Sequence, residues 1–234
     1  KNNIFGSVLE ENKNTTLGPV GSYIIGRNLA AQMAGAYKIL PTSDSRYTYI
    51  SSIVNVLQLN SRVKRHYSQT VVGIIDDDMV NAFAAPGGFI FVTTGLLDVT
   101  SNEDELAYVL AHEMAHMEIG HGLAAIRQAS AQRLVNQTFG DIGGMGGFFN
   151  AVFSGYGEDL EIEADKRGAE IAAKAGYDVA SGIRLLEKIH ARGSKNYPKN
   201  RADIVARHLA SIGLNFEAGP HVTSRKKRYN DMLK

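Results

Sequence analysis

Apolar positions Ile24, Ile25, Leu29, Met33, Ala36 and Leu40 recur at helical spacing between Ser22 and Leu40, and Pro41 stops the pattern. A second helix is expected to start after Asp44, a suitable N-cap, and to run to about Ser61 with Ile50, Ile53, Val54 and Leu57 inward. The Ser, Arg and Tyr residues of these two helices read as surface. From Tyr67 to Thr94 the texture changes to short β-branched and aromatic runs. Val71 to Ile75, Met79 to Ala84 and Phe89 to Thr93 are expected as strands, joined at Asp76-Asp77-Asp78 and at Pro86-Gly87-Gly88.

Gly95 to Val99 then leads into Thr100 to Glu105, where a hydroxyl or amide cap followed by acids marks a helix start. That helix carries Leu106, Val109 and Leu110 inward and ends near Gly120. Further helices are expected over Leu123 to Gln137, Glu158 to Ala175 closed by Gly176, Val179 to Ala191, and Arg201 to Ile212. Lys1 to Gly21 reads as a loose arm and the chain beyond Ile212 as tail. The pattern is that of an α+β fold, mostly helical with one small sheet. Residues 1–65 form an N-terminal helical arm packed on a domain of residues 66–234.

Apolar residues at 44% and charged residues at 21% suit a packed globular body and exclude wholesale disorder. A net charge of +1 supplies no field for nucleic acid, and no nucleic-acid partner is expected. The basic run Arg225 to Arg228 reads as a solvated tail. With no cysteine, any metal must be held by His, Asp or Glu. The longest apolar stretches are broken by Arg27, Gln32, Lys38 or glycines, so no transmembrane helix is expected, and no signal peptide is visible.

The chemistry concentrates at His112-Glu113-Met114-Ala115-His116. Histidines four apart on a helix lie within about 40° of one another around its axis and can grip one ion, with Glu113 beside a water on that ion. A zinc hydrolase of this H-E-x-x-H type needs a third protein ligand. His121 is near in sequence but misses the spacing of a third-histidine site, since Ile119 and Gly122 stand where glycine and histidine are needed, and it reads as structural. Glu161 is the better candidate. It shares a helix face with Asp165, and on that face Ala164, Gly168, Ala169 and Ala172 are all small, which lets two helices approach closely. Asp165 is then placed to accept the second N–H of a ligand histidine. Glu163, about 200° around the helix, should face solvent.

Two further features carry weaker signals. The three-aspartate run reads as a solvated turn, because no more oxygen ligands follow at calcium-loop spacing. Phe139 to Gly157, with seven glycines among aromatics, reads as a candidate lid.

Taken together, His112-Glu113-x-x-His116 followed by Glu161-x-x-x-Asp165 resembles the gluzincins. More closely the chain resembles peptidase family M forty-eight, that of HtpX, BepA and the CAAX prenyl endopeptidases, and its soluble BepA-like members. The resemblance covers roughly Tyr67 to Ile212 and rests on Asn81 to Gly88, the metal helix with His121-Gly122 after it, Glu161 to Gly168, and the Tyr197-Pro198 loop. It implies a zinc endopeptidase with one zinc ion per chain, held by His112, His116 and Glu161, in a zincin-like fold with a small sheet beside the active-site helix. Glu113 would be general base on a zinc-bound water. The edge strand, Asn81, Ala82, Phe83 and Ala84 within it, would bind an extended peptide or unfolded protein as an added strand.

Many relatives carry His-Pro where this chain has Tyr197-Pro198. Tyr197, and less strongly Arg201, are candidates for donating to a developing oxyanion. The resemblance also implies a bacterial periplasmic or exported setting, near a membrane and in protein quality control. The alternative function is a zinc-bearing chaperone or assembly factor that grips unfolded chains with little turnover.

Overall fold

The computed structural model describes residues 18–63, 70–136, 155–190, 200–216 and 221–233. The expected N-terminal arm up to residue 17, most of the glycine-rich segment, and Tyr197 with its loop lie outside the described residues.

Helix α1 (Pro19–Ala36) opens on a proline, whose fixed φ and missing N–H suit a first helical turn. Helix α2 (Ser45–Gln58) is capped as expected by Asp44, which accepts from the Arg46 N–H. The sheet comprises β1 (Val71–Ile75), β2 (Ala82–Ala85) and β3 (Phe89–Thr93) in the order β1-β3-β2. β1 runs parallel and β2 antiparallel to β3. Strand β2 is shorter and later than the period predicts. Asp77 Oδ1 accepts from the Met79 N–H, and the Thr93 hydroxyl lies against the Met79 and Asn81 carbonyls, so side chains as well as the Thr93 N–H to Asn81 bond hold this stretch. Gly95 to Val99 belongs to a short helix, α3 (Thr94–Val99), capped by Thr93.

The remaining helices are α4 (Glu103–Ile119), α5 (His121–Asn136), α6 (Glu158–Lys174), α7 (Val179–His190), α8 (Arg201–Ser211) and α9 (Val222–Leu233). Alternation along the strands gives the sheet two apolar faces. Val72, Ile74, Ala82, Ala84, Ile90 and Val92 face the cluster built around α4. Ile75, Phe83, Ala85, Phe89 and Phe91 join Ile25, Leu29 and Met33 of α1 on the other side. The sheet is therefore sandwiched, and α4 is covered by β2 on one flank and by α6 and α7 on others. Enclosed on several sides, this helix buries most of its length, the polar Glu103, Asp104, His112 and His116 included. No described helix is long and apolar enough to cross a membrane.

Two expectations are corrected here. The segment read as tail holds α9, and its basic run is not a solvated stretch throughout. Arg225 is buried with Nη2 2.7 Å from Asp104 Oδ1, an ion-pair contact outside hydrogen-bond angles, and Arg228 donates to both oxygens of Glu103. Tyr49, read as surface, is buried and donates to the same Glu103 at 2.6 Å. The cause is common to both. The first turn of α4 carries Glu103 and Asp104 into the interior, and these carboxylates draw donors from α2 and α9.

Candidate metal centre

Helix α4 is started by Asn102, whose side chain accepts from the Glu105 N–H, and ended by Gly120 in the left-handed region at φ 96°. Three turns in, it presents His112 and His116, both buried, with their Nε2 atoms 3.0 Å apart. Helix α6 brings Glu161 against them: its Oε2 lies 3.3 Å from His112 Nε2 and 3.7 Å from His116 Nε2. One ligand atom from each of these residues falls within 4.8 Å of the others. The small-residue face of α6 does what its composition suggested, with Ala164, Gly168, Ala169 and Ala172 all buried.

The donor set suits a cation. Glu161 Oε1 accepts from the Tyr156 N–H at 3.0 Å, but Oε2, fully buried, has no hydrogen-bond partner. A buried carboxylate oxygen without a donor is costly, and two imidazole nitrogens facing it at metal-ligand spacing are the partners a divalent ion would share with it. Electrostatics agree. Burial disfavours the charged forms, yet His112 and His116 hold the Glu161 carboxyl well below the usual carboxylate range. His112 is also pushed down by burial but raised on balance by Asp165 and Glu161, whereas burial wins at His116 and lowers it.

Behind each histidine stands a second residue. His112 Nδ1 lies 3.0 Å from Asp165 Oδ1, close but outside hydrogen-bond angles. Asp165 is gripped by Arg201, which donates from Nε at 2.7 Å and from Nη2 at 2.6 Å, and it receives the Tyr108 hydroxyl at 3.3 Å. Arg201, a candidate for oxyanion help, is thus buried behind His112 and is not among the residues lining the cleft. His116 Nδ1 lies 2.8 Å from His121 Nδ1, and His121 Nε2 lies 3.3 Å from Glu163 Oε2. Glu163 is half exposed, as its place on the helix predicts, yet it faces His121. Tyr156, which the sequence did not single out, stacks its ring on His116 at a centroid distance of 4.5 Å.

Glu113 keeps part of its surface open to a cleft lined by Asn81, Ala82, Phe83, His112, His116 and Glu161, among others. Burial pushes its carboxyl up to about 8, against the pull of His112 and of the Ala84 backbone. The register of the sheet shows how β2 is turned. The Thr93 N–H donates to the Asn81 carbonyl, so antiparallel alternation points the backbone groups of Ala82 and Ala84 away from β3. β2 is an edge strand, and its outer side faces the metal helix. The Phe83 side chain stacks on Phe91 in the α1-side core, and its backbone groups point to β3, so the open edge of the strand belongs to Ala82 and Ala84.

A helix-borne His-Glu-x-x-His completed by a glutamate from a second helix, beside a small mixed sheet, is the arrangement of a metallopeptidase. The chain belongs to peptidase family M48, whose model matches residues 44–229. Among its relatives are the mitochondrial metalloendopeptidase OMA1 of Danio rerio, 30% identical over 64% of this chain and 35% of that protein, and the OMA1 of Schizosaccharomyces pombe, 33% identical over 50% and 37%. The beta-barrel assembly-enhancing protease of Yersinia pestis is 29% identical over 60% of this chain and 32% of its own length. This chain spans about a third of the length of these relatives. A crystal structure of Ste24p from S. mikatae aligns over 99% of this chain and 61% of its own at 14% identity, with a TM-score of 0.30, a level at which two folds need not be the same.

Proposed function

We propose that this chain is a zinc-dependent endopeptidase domain of the gluzincin type that hydrolyses peptide bonds in extended or unfolded proteins. The observation that carries the reading is the buried, partnerless Oε2 of Glu161 facing two histidine Nε2 atoms. His112, His116 and Glu161 would hold one zinc ion. When bound, zinc supplies Lewis acidity, which lowers the pKa of a water toward about 7 and polarises a carbonyl.

The chain's own groups do the rest. Glu113 takes a proton from the attacking water at a carboxylate oxygen and hands it to the nitrogen of the leaving amine. Burial raises this carboxyl to about 8, which suits a group that holds a proton between the two transfers. Ala82 and Ala84 offer outward backbone groups with which an extended substrate can pair, and Asn81 sits at the start of that edge. Arg201 and Asp165 act through His112 by fixing its ring, which is a positioning part and not contact with an oxyanion. Tyr197 remains the proposed oxyanion donor.

The relatives' names, an endopeptidase and an assembly-enhancing protease, support internal cleavage of protein substrates. Those relatives include mitochondrial as well as bacterial proteins, so kinship does not by itself select the periplasm. The test measures zinc content and casein cleavage together. Wild type should bind one zinc and cleave, Glu113→Gln should keep zinc and lose cleavage, and Glu161→Ala should lose zinc. Cleavage by Glu113→Gln would remove it as the base. Zinc-dependent binding of unfolded protein with no turnover in wild type would favour the chaperone reading instead.

A further inference from the structure

His116 has two ring nitrogens and both are engaged. Nε2 faces the cluster, and Nδ1 lies 2.8 Å from Nδ1 of His121. A hydrogen bond between two ring nitrogens needs one protonated and one bare. A neutral imidazole that gives its Nε2 lone pair to a metal carries its proton on Nδ1. His116 is therefore the donor and His121 Nδ1 the acceptor. The proton of neutral His121 is then on Nε2, directed at the Glu163 carboxylate 3.3 Å away. Every proton along Glu163, His121 and His116 is assigned once the metal end is fixed.

We propose that His121, backed by Glu163, is the positioning residue for His116: it fixes that ring's orientation and tautomer and is not itself a metal ligand. The proposal rests on the zinc reading above. His121 is buried, its Nδ1 is turned to His116, and it is absent from the His112, His116 and Glu161 cluster. The two ligand histidines are thus supported differently. His112 leans on a buried carboxylate clamped by Arg201, whereas His116 leans on an imidazole whose far side reaches a half-exposed glutamate.

The local backbone explains how His121 gets there. On an unbroken helix a residue five positions on from His116 would be turned about 140° away from it. Gly120, at φ 96°, ends α4 and lets α5 begin at His121 in a new direction, which returns the ring to His116. Tyr156 packs over both rings, with centroids 4.5 Å from His116 and 5.8 Å from His121.

The test compares zinc affinity, by competition with a chromophoric chelator, in wild type, His121→Leu and His121→Asn, together with imidazole nitrogen-15 shifts of zinc-loaded wild type. His121→Leu should bind zinc about 10- to 100-fold more weakly, the usual loss when the partner behind a ligand histidine is removed. His121→Asn, whose Oδ1 can accept where Nδ1 stood, should recover most of that loss. The nitrogen shifts should show His116 protonated at Nδ1 and His121 at Nε2. Unchanged affinity in His121→Leu, failure of His121→Asn to recover affinity, or a metal-bonded nitrogen on His121 would each overturn the proposal. Should His121→Leu fail to fold, the asparagine variant and the wild-type shifts decide. A wild type that binds no zinc would instead bring down the metal reading itself, and this one with it.

Discussion

Gly168 of α6 lies against the backbone of His112: a Cβ built on it would stand 2.8 Å from His112 Cα and 2.9 Å from His112 N. This contact sets how closely the helix carrying Glu161 and Asp165 approaches the helix carrying the histidines.

Gly168→Ala should therefore harm the protein even though alanine is the better helix former by about 1 kcal/mol. The atoms in the way belong to the backbone, so α6 must move and take Glu161 with it. The expected outcome is a loss of about 1–3 kcal/mol in stability, as in other overpacked cores, with weaker zinc binding. Denaturant unfolding and zinc titration of the same variant check both parts.

Arg201→Met should be among the most damaging single changes. Its guanidinium makes two short hydrogen bonds to Asp165, and both side chains are about 1% exposed. Removing one member of a buried pair leaves the other charge uncompensated, which costs about 3–5 kcal/mol. The double variant Asp165→Asn, Arg201→Met should regain part of that stability while zinc affinity stays low, because His112 has lost its carboxylate. A double variant no more stable than Arg201→Met alone would show that the arginine matters by packing and not by pairing.

The C-terminal helix should prove necessary for the domain. Arg225 is buried beside Asp104, whereas the Arg228 side chain, bound to Glu103, is half exposed. Arg225→Ala should lower thermal stability more than Arg228→Ala. In the latter, Glu103 keeps the hydroxyls of Tyr49 and Tyr177. Thermal melts of the two variants side by side give the comparison.

Acid should loosen a second ion-pair cluster away from the metal. Burial alone would raise the carboxyls of Glu118 and Glu170, but Arg167 holds Glu118 below the ordinary 4.5, and His208 with Arg167 does the same for Glu170. Depressed carboxyls in the folded state mean that their stabilisation is complete above 4.5 and is lost as pH falls through that value toward the folded pKa. Unfolding free energy measured between about pH 3 and 6 should fall with acid, and less steeply in Arg167→Leu, where both carboxylates lose their shared partner. Equal slopes would contradict the assignment.

Much of the site was legible because its rules are local. The i, i+4 spacing of His112 and His116 and of Glu161 and Asp165, with the small residues beside the latter, is a property of one helix at a time. His121 was read as structural from its spacing, and it lies outside the His112, His116 and Glu161 group, but nothing in the string showed that Gly120 would redirect it onto His116. Tyr156 gave no signal, since its importance comes from packing on a ring forty positions earlier.

The sequence by itself determined most of the elements and singled out His112, His116 and Glu161 as the candidate ligand set. Apolar periods of 3.6 and 2 specify which face of a segment is buried, and histidine and carboxylate spacing specifies what can share an ion. Only the tertiary structure decided the partners of the charged groups. Arg225 to Arg228 looked like a solvated run because charge in a sequence is read against water. The fold instead brings Arg225 and Arg228 to Asp104 and Glu103, more than 100 positions away, and burial makes that pairing obligatory. The same reason separates Arg201 from the cleft: the buried Asp165 beside His112 claims its guanidinium first.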